Sequence, residues 1–149
     1  MGQANLGSMD LQKARALLES GGFTCVLKHG EVTLTSTHRG VAPLLAWLDE
    51  GIDAEGFAAA DRVVGNGAAF LYVLLGVGEV YGAVMSEAAL RTLMRFGIEA
   101  EYGTLVDHIV NRTNTGYCPM EEAVRGIDDP ERAREAIIAR LAEMASGDK

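Results

Sequence analysis

Aromatic residues, cysteines and basic residues are all scarce in this chain. Aromatics make up 6% of its 149 residues, so the core has to be built from Ala, Val, Leu, Ile and Met. The two cysteines, Cys25 and Cys118, lie far apart in different contexts. Two thiols do not make a disulfide framework, and reduced thiols in a cytoplasmic protein are the expectation. Lys and Arg number 13 against 21 Asp and Glu, a formal net charge of -8. That deficit speaks against a nucleic-acid polymer as main partner, because a phosphate backbone calls for a basic face. A local basic pocket remains open. No apolar run reaches the roughly 20 residues that span a bilayer. No charged segment leads into an apolar core at the start, so neither a membrane anchor nor a signal peptide is expected.

What is present reads as an ordinary globular protein. The hydrophobic share is 48% and the charged share 23%, which fits one domain with a real core. The 18 glycines point to tight turns between short elements. Met1 to Ser8 lacks periodicity and is expected to be a flexible leader, with the domain running over 9–146.

Along the chain, Asp10 is placed to cap a helix to about Ser20, with Leu11, Ala14, Leu17 and Leu18 on one stripe. Phe23 to Lys28 and Glu31 to Thr35 read as a hairpin turning at His29-Gly30. The second of these alternates apolar and polar residues, as an edge strand does. Val41 to Asp49 reads as a helix, Phe57 to Ala60 as a short apolar strand, and Gly67 to Leu75 as a buried helix. Glu79 to Met85 is a strand, Ser86 caps a helix to Phe96, Ile98 to Tyr102 is the fifth strand, and Thr104 to Val110 a short helix. A polar loop, Asn111 to Tyr117, precedes a helical turn at Cys118-Pro119, and Pro130 opens the last helix. This order predicts an α/β fold, a three-layer sandwich whose five-stranded mixed sheet includes an N-terminal antiparallel hairpin.

Two junctions are alike in kind. Thr37-His38-Arg39-Gly40-Val41 and Asp61-Arg62-Val63-Val64-Gly65-Asn66-Gly67 each join strand to helix with polar residues, a cation and glycine. Such junctions line the ligand crevice of open α/β sheets, and exposed amides at helix starts suit anions.

The residues at these junctions, together with Val80-Tyr81-Gly82-Ala83-Val84-Met85-Ser86 and the stretch from Asn111-Arg112-Thr113 to Gly116-Tyr117-Cys118-Pro119-Met120-Glu121, resemble a small prokaryotic family known only as a domain of unknown function. The element order resembles the cytidine-deaminase fold. The resemblance implies a five-stranded sheet and a homodimer. It does not imply deamination. Zinc deaminases carry a His or Cys followed by Glu at the second helix start and Pro-Cys-x-x-Cys at the third, the thiolates binding zinc and the Glu moving protons. Here Asp61 and Val64 stand in the cysteine positions, and Gly40 stands where the Glu would follow His38. One His and one Asp do not make a zinc site. No metal and no cofactor are expected. Asn66 also departs from the lysine of the family pattern.

Asp61 reads equally as a helix cap and as a pocket carboxylate orienting a ligand. His38, Arg39 and Arg62, each an ordinary surface cation alone, would together favour a phosphate or carboxylate. Gly40, Gly65 and Gly67 allow either close ligand approach or tight packing. Cys118 before Pro119 would place a thiol at a helix N-terminus, with Arg112 nearby and Glu121 and Glu122 opposing. An inert thiol is the commoner outcome there. Cys25 is assigned to the core, and Trp47 to helix packing. The expected function is binding of a small anionic, nucleotide-like ligand by His38, Arg39, Gly40, Asp61, Arg62, Gly65, Asn66 and Arg112. Asp61 and Cys118 are the candidates for any catalysis. The alternatives are a non-catalytic dimeric interaction domain and a thiol-based transferase using Cys118.

Overall fold

Five strands form one mixed sheet in the order β2-β1-β3-β4-β5. The computed structural model describes residues 8–111 and 116–146. The hairpin comes first, β1 (Cys25–His29) against β2 (Val32–Ser36), and β1 then pairs antiparallel with β3 (Ala58–Val64). β3, β4 (Glu79–Ser86) and β5 (Glu99–Val106) run parallel. β2, the alternating strand, lies at the sheet edge as its pattern predicts.

Alternation along β1 sends its side chains to two separate apolar clusters. Val26 joins Leu11, Ala14 and Leu18 of α1 (Met9–Gly21), with Ala58, Ala60 and Tyr81. Cys25 and Leu27 join the larger cluster with α2 (Ala42–Asp49), α3 (Asn66–Leu75) and α4 (Glu87–Arg95). The same cluster takes in Met120 of α5 (Pro119–Ala123) and Ala133 and Ile137 of α6 (Pro130–Ser146). Trp47 is buried there, in helix packing as expected. The period-2 rule slips once in β3: Ala59 and Val64, five residues apart, both face the larger cluster. α3 is the hub. Phe70, Leu71, Tyr72 and Leu75 are almost wholly enclosed, which explains a helix that is apolar on nearly every side.

Local signals set several ends. Ser86 caps α4, its hydroxyl accepting from the Ala89 amide at 3.1 Å. Gly76 (φ 88°) and Gly97 (φ 77°) supply the left-handed residues that end α3 and α4.

Four sequence expectations need correction. The cap of α1 is Ser8, whose hydroxyl accepts from Leu11 N at 3.1 Å. Asp10 instead accepts from the Gly30 amide of the hairpin turn at 3.2 Å. Ser8 therefore belongs to the folded structure, and its amide also donates to Glu79 at 3.0 Å; residues 1–7 of the expected leader lie outside the described residues. The third strand does not stop at Ala60 but continues through Asp61, where β1 still pairs with it, to Val64, because parallel pairing with β4 carries it on. Asp61 is thus a mid-strand residue and does not open a helix. The segment Thr104–Val110 is not helical: parallel pairing with β4 carries β5 on to Val106.

Candidate functional site

The parallel strands β3, β4 and β5 end at Val64, Ser86 and Val106, and the region beyond such ends is where α/β sheets hold ligands. A hollow of about 370 Å³ lies there, within the size range of small-molecule sites. It is lined by Asn66 at the start of α3, Arg91 of α4, His108 and Tyr117 beyond β5, and Glu121 and Arg125 at and just after α5. The chain between β5 and α5 is drawn together by backbone bonds, Cys118 N to Ile109 O and Asn111 N to Gly116 O, both 2.9 Å.

Glu121 organises one wall. Its Oε2 accepts from Asn66 N at 2.9 Å and from the Ser86 hydroxyl, and its Oε1 accepts from Ile109 N at 2.8 Å. A carboxylate from 55 residues downstream thus occupies the positive end of α3, the place an anion would take. Asn66 is further held by Thr92, whose hydroxyl donates to Asn66 Oδ1 at 2.5 Å. The other acids of the hollow are also engaged. Glu122 pairs with Arg140 at 3.2 Å, and Asp107 faces His108 at 3.2 Å. The Tyr117 ring lies against His108 with centroids 4.4 Å apart, and the Arg125 guanidinium sits 5.1 Å from its centroid. Arg91 and Arg125 form no ion pair among the described residues.

A second, more open hollow of about 260 Å³ is lined by Phe23, Thr35, Ser36, Thr37 and His38. It shares no lining residue with the first. The two junctions singled out in the sequence therefore do not face one common hollow among those described. His38 lines the smaller one, its amide bonded to the Ser36 hydroxyl at 3.0 Å. Arg39 is exposed, and Gly40 turns the chain into α2 with φ 64°. Arg62 points to the α1 side, where Nε donates to Phe23 O at 2.8 Å and Nη2 to Leu18 O at 3.1 Å. These bonds satisfy carbonyls at and just beyond the end of α1. Gly65 and Gly67 are explained by close packing. A Cβ on Gly65 would come 3.2 Å from Ile109 Cγ1, and one on Gly67 3.1 Å from the Met120 carbonyl. Of the expected ligand residues only Asn66 lines the larger hollow. Arg112 lies outside the described residues.

Asp61 is enclosed between sheet and α3. Tyr72 OH donates to its Oδ2 at 2.7 Å, and Val63 N approaches Oδ1 at 3.4 Å. Cys25, paired with Asp61 across β1 and β3, places Sγ 3.1 Å from the same phenol oxygen. Burial pushes the Asp61 carboxyl up from 3.8 to about 7, against the opposing effect of the Tyr72 hydrogen bond. Burial, then the charge of Asp61, raises the Cys25 thiol and the Tyr72 phenol. Cys118 stands at the N-cap position of α5, half-buried against the larger cluster, and makes no capping bond. It lines neither hollow.

Asp61 is bonded to Tyr72, Val64 offers no ligand atom, and among the described residues no three His, Cys, Asp or Glu side chains are grouped to hold a metal ion. Sequence reasoning missed the convergence of Arg91, His108, Tyr117 and Arg125, which come from separate segments, Tyr117 alone of the four lying in a stretch that carries the resemblance. In the sequence Glu121 stands out as a charge near Cys118 and as part of a stretch that carries the family resemblance, not as a wall of this hollow.

No curated protein matches the chain. A solved structure, that of the DUF1893 family protein TM1506 from Thermotoga maritima, superposes with a TM-score of 0.80 at 22% identity, covering 92% of each chain. That likeness shows a shared fold. The family model described as domain of unknown function DUF1893 matches residues 13–141, and the chain therefore belongs to the DUF1893 family.

Proposed function

We propose that this protein binds a small anionic ligand in the hollow beyond the ends of β3, β4 and β5. The observation that carries this is the pair Arg91 and Arg125 on one concave surface, neither matched by a carboxylate among the described residues, while Glu121 and Glu122 are engaged by other partners. A guanidinium pair of this kind suits phosphate or carboxylate oxygens. Asn66 and His108 add hydrogen-bonding groups, and the volume of about 370 Å³ suits a ligand of nucleotide or sugar-phosphate size. The wider framework of the proposal is a three-layer, cytidine-deaminase-like arrangement without zinc. It assigns no chemistry to Cys118. Association of two copies, which the family resemblance implies, is part of the same proposal and is checked by sedimentation.

The test is a thermal-shift and calorimetric screen with inorganic phosphate, nucleoside monophosphates, sugar phosphates and dicarboxylates, at low and high salt. The expected result is a rise in melting temperature with at least one anion, weaker at high salt. That rise should disappear in the double variant Arg91→Ala/Arg125→Ala. A screen without response, or a response unchanged in the double variant, overturns the assignment.

A further inference from the structure

The larger hollow does not involve Asp61, a buried carboxyl on the sheet. Asp61 sits in the middle of β3 with only a few polar neighbours. The titratable groups facing it are Cys25 from β1 and Tyr72 from α3. Across β4 its register partner is Gly82. Arg62, next in sequence, carries its charge to the opposite side, onto Phe23 O and Leu18 O. The three groups form a short line: Sγ, phenol oxygen, Oδ2, with spacings of 3.1 and 2.7 Å. The phenol has one proton and two such neighbours. It donates to one and accepts from the other.

We propose that Cys25, Tyr72 and Asp61 form a buried hydrogen-bond chain that reverses direction when Asp61 changes protonation. With Asp61 ionised, Oδ2 only accepts, so Tyr72 must donate to it and the Cys25 S–H donates to the phenol oxygen. With Asp61 protonated, the position of the acid proton is dictated by what surrounds the carboxyl. Oδ1 faces the Val63 N–H, a donor, and is paired with no acceptor among the described residues. The proton sits on Oδ2 and donates to the phenol oxygen, which in turn directs its own hydrogen to Sγ. No atom moves far and no other charge is needed. The raised thiol and phenol keep their protons while the carboxyl titrates in the neutral range. The chain joins β1, β3 and α3, and α3 begins at Asn66 in the larger hollow. Acid and base forms of the protein therefore differ in how the central helix is tied to the sheet, beneath the site.

The S–H stretch of Cys25 reports the direction of the chain, since a thiol that donates absorbs at lower frequency than one that accepts. It is read by infrared spectroscopy on the full chain between about pH 5 and pH 9, with Cys25→Ala identifying the band against that of Cys118. The expected result is a fall in frequency as pH rises, with a midpoint shared by the Asp61 carboxyl signal in carbon NMR. Asp61→Asn should abolish the response. Should Asp61→Asn fail to fold, Tyr72→Phe cuts the chain at its centre and should leave the band independent of pH. A wild-type band that does not move, or one that still moves in Tyr72→Phe, overturns the proposal.

Discussion

Tyr72 and Asp61, eleven residues apart, meet across the junction of α3 and β3 in a buried 2.7 Å hydrogen bond. Near the middle of a strand, the carboxyl is held by burial in a form that keeps its proton up to about pH 7. This has a consequence for stability. The unfolded chain releases that proton near 3.8 and the folded protein only near 7. Between these values the folded state binds more protons, so stability is fullest below the lower value and falls as pH rises toward the upper one. Burial of this extent would account for a fall of roughly 4 kcal/mol, levelling off above neutrality. Urea unfolding of the wild type from about pH 4 to pH 8 should show that decline, and Asp61→Asn should flatten it. A rise in stability over the same interval would contradict the assignment.

Glu121 joins three segments that are remote in sequence. Replacing it by Ala leaves the amides of Asn66 and Ile109 and the Ser86 hydroxyl without their acceptor. Charge-assisted bonds to partly buried donors place the expected cost at about 2–4 kcal/mol. Glu121→Gln should recover only part of it, because one amide face would oppose a donor. The positive end of α3 would also be uncovered in Glu121→Ala, so sulfate or phosphate should stabilise that variant more than the wild type. Chemical denaturation with and without added sulfate measures both effects.

The contrast between β4 and β3 shows what could be read from the sequence. Glu79 to Met85 is an uninterrupted strand signal ending in a Ser cap, and the structure agrees within one residue. In β3 the polar pair Asp61-Arg62 interrupts the apolar run. The strand continues because Tyr72 satisfies the carboxylate and the end of α1 accepts from the guanidinium. Both partners are tertiary, so no local pattern contains them. The same holds at the site. Asn66 was identifiable from its junction, whereas Arg91, His108 and Arg125 converge only after α4, β5 and α5 have packed. Gly65 and Gly67 stand out in the sequence, but the approach of Ile109 and Met120 to them is tertiary and has no local pattern.

Those two glycines should respond differently to Ala. At Gly67 the added methyl would lie 3.1 Å from the Met120 carbonyl oxygen and 3.4 Å from Ile137 Cδ1. Backbone cannot yield as a side chain can, so strain of about 1–3 kcal/mol should outweigh the helix-propensity gain of at most about 1 kcal/mol. At Gly65 the nearest atom is Ile109 Cγ1 at 3.2 Å, part of a side chain, and the backbone (φ -91°, ψ 178°) is open to any residue. Gly65→Ala should therefore change the urea midpoint less than Gly67→Ala. An equal or reversed order would show that the approach of α5 to α3 is looser than these distances.

Arg62 separates a structural cation from a ligand-binding one. Its guanidinium spans two carbonyls, Phe23 at 2.8 Å and Leu18 at 3.1 Å, and so ties the end of α1 to β3. Arg62→Ala should cost about 1–3 kcal/mol, since both bonds come from a charged donor. Amide exchange should quicken most near Gly21 and Gly22, where α1 ends. Arg62→Lys reaches one carbonyl at most and should recover less than half of the loss, because an ammonium cannot bridge two acceptors in the plane of a fork. In the same variants the response to phosphate or nucleotide should match that of the wild type once corrected for stability, because Arg62 does not line the larger hollow. If Arg62→Ala instead abolishes an anion response that survives in Arg91→Ala/Arg125→Ala, the binding site lies on the α1 side of the sheet, and the hollow beyond β5 is not where the ligand is held.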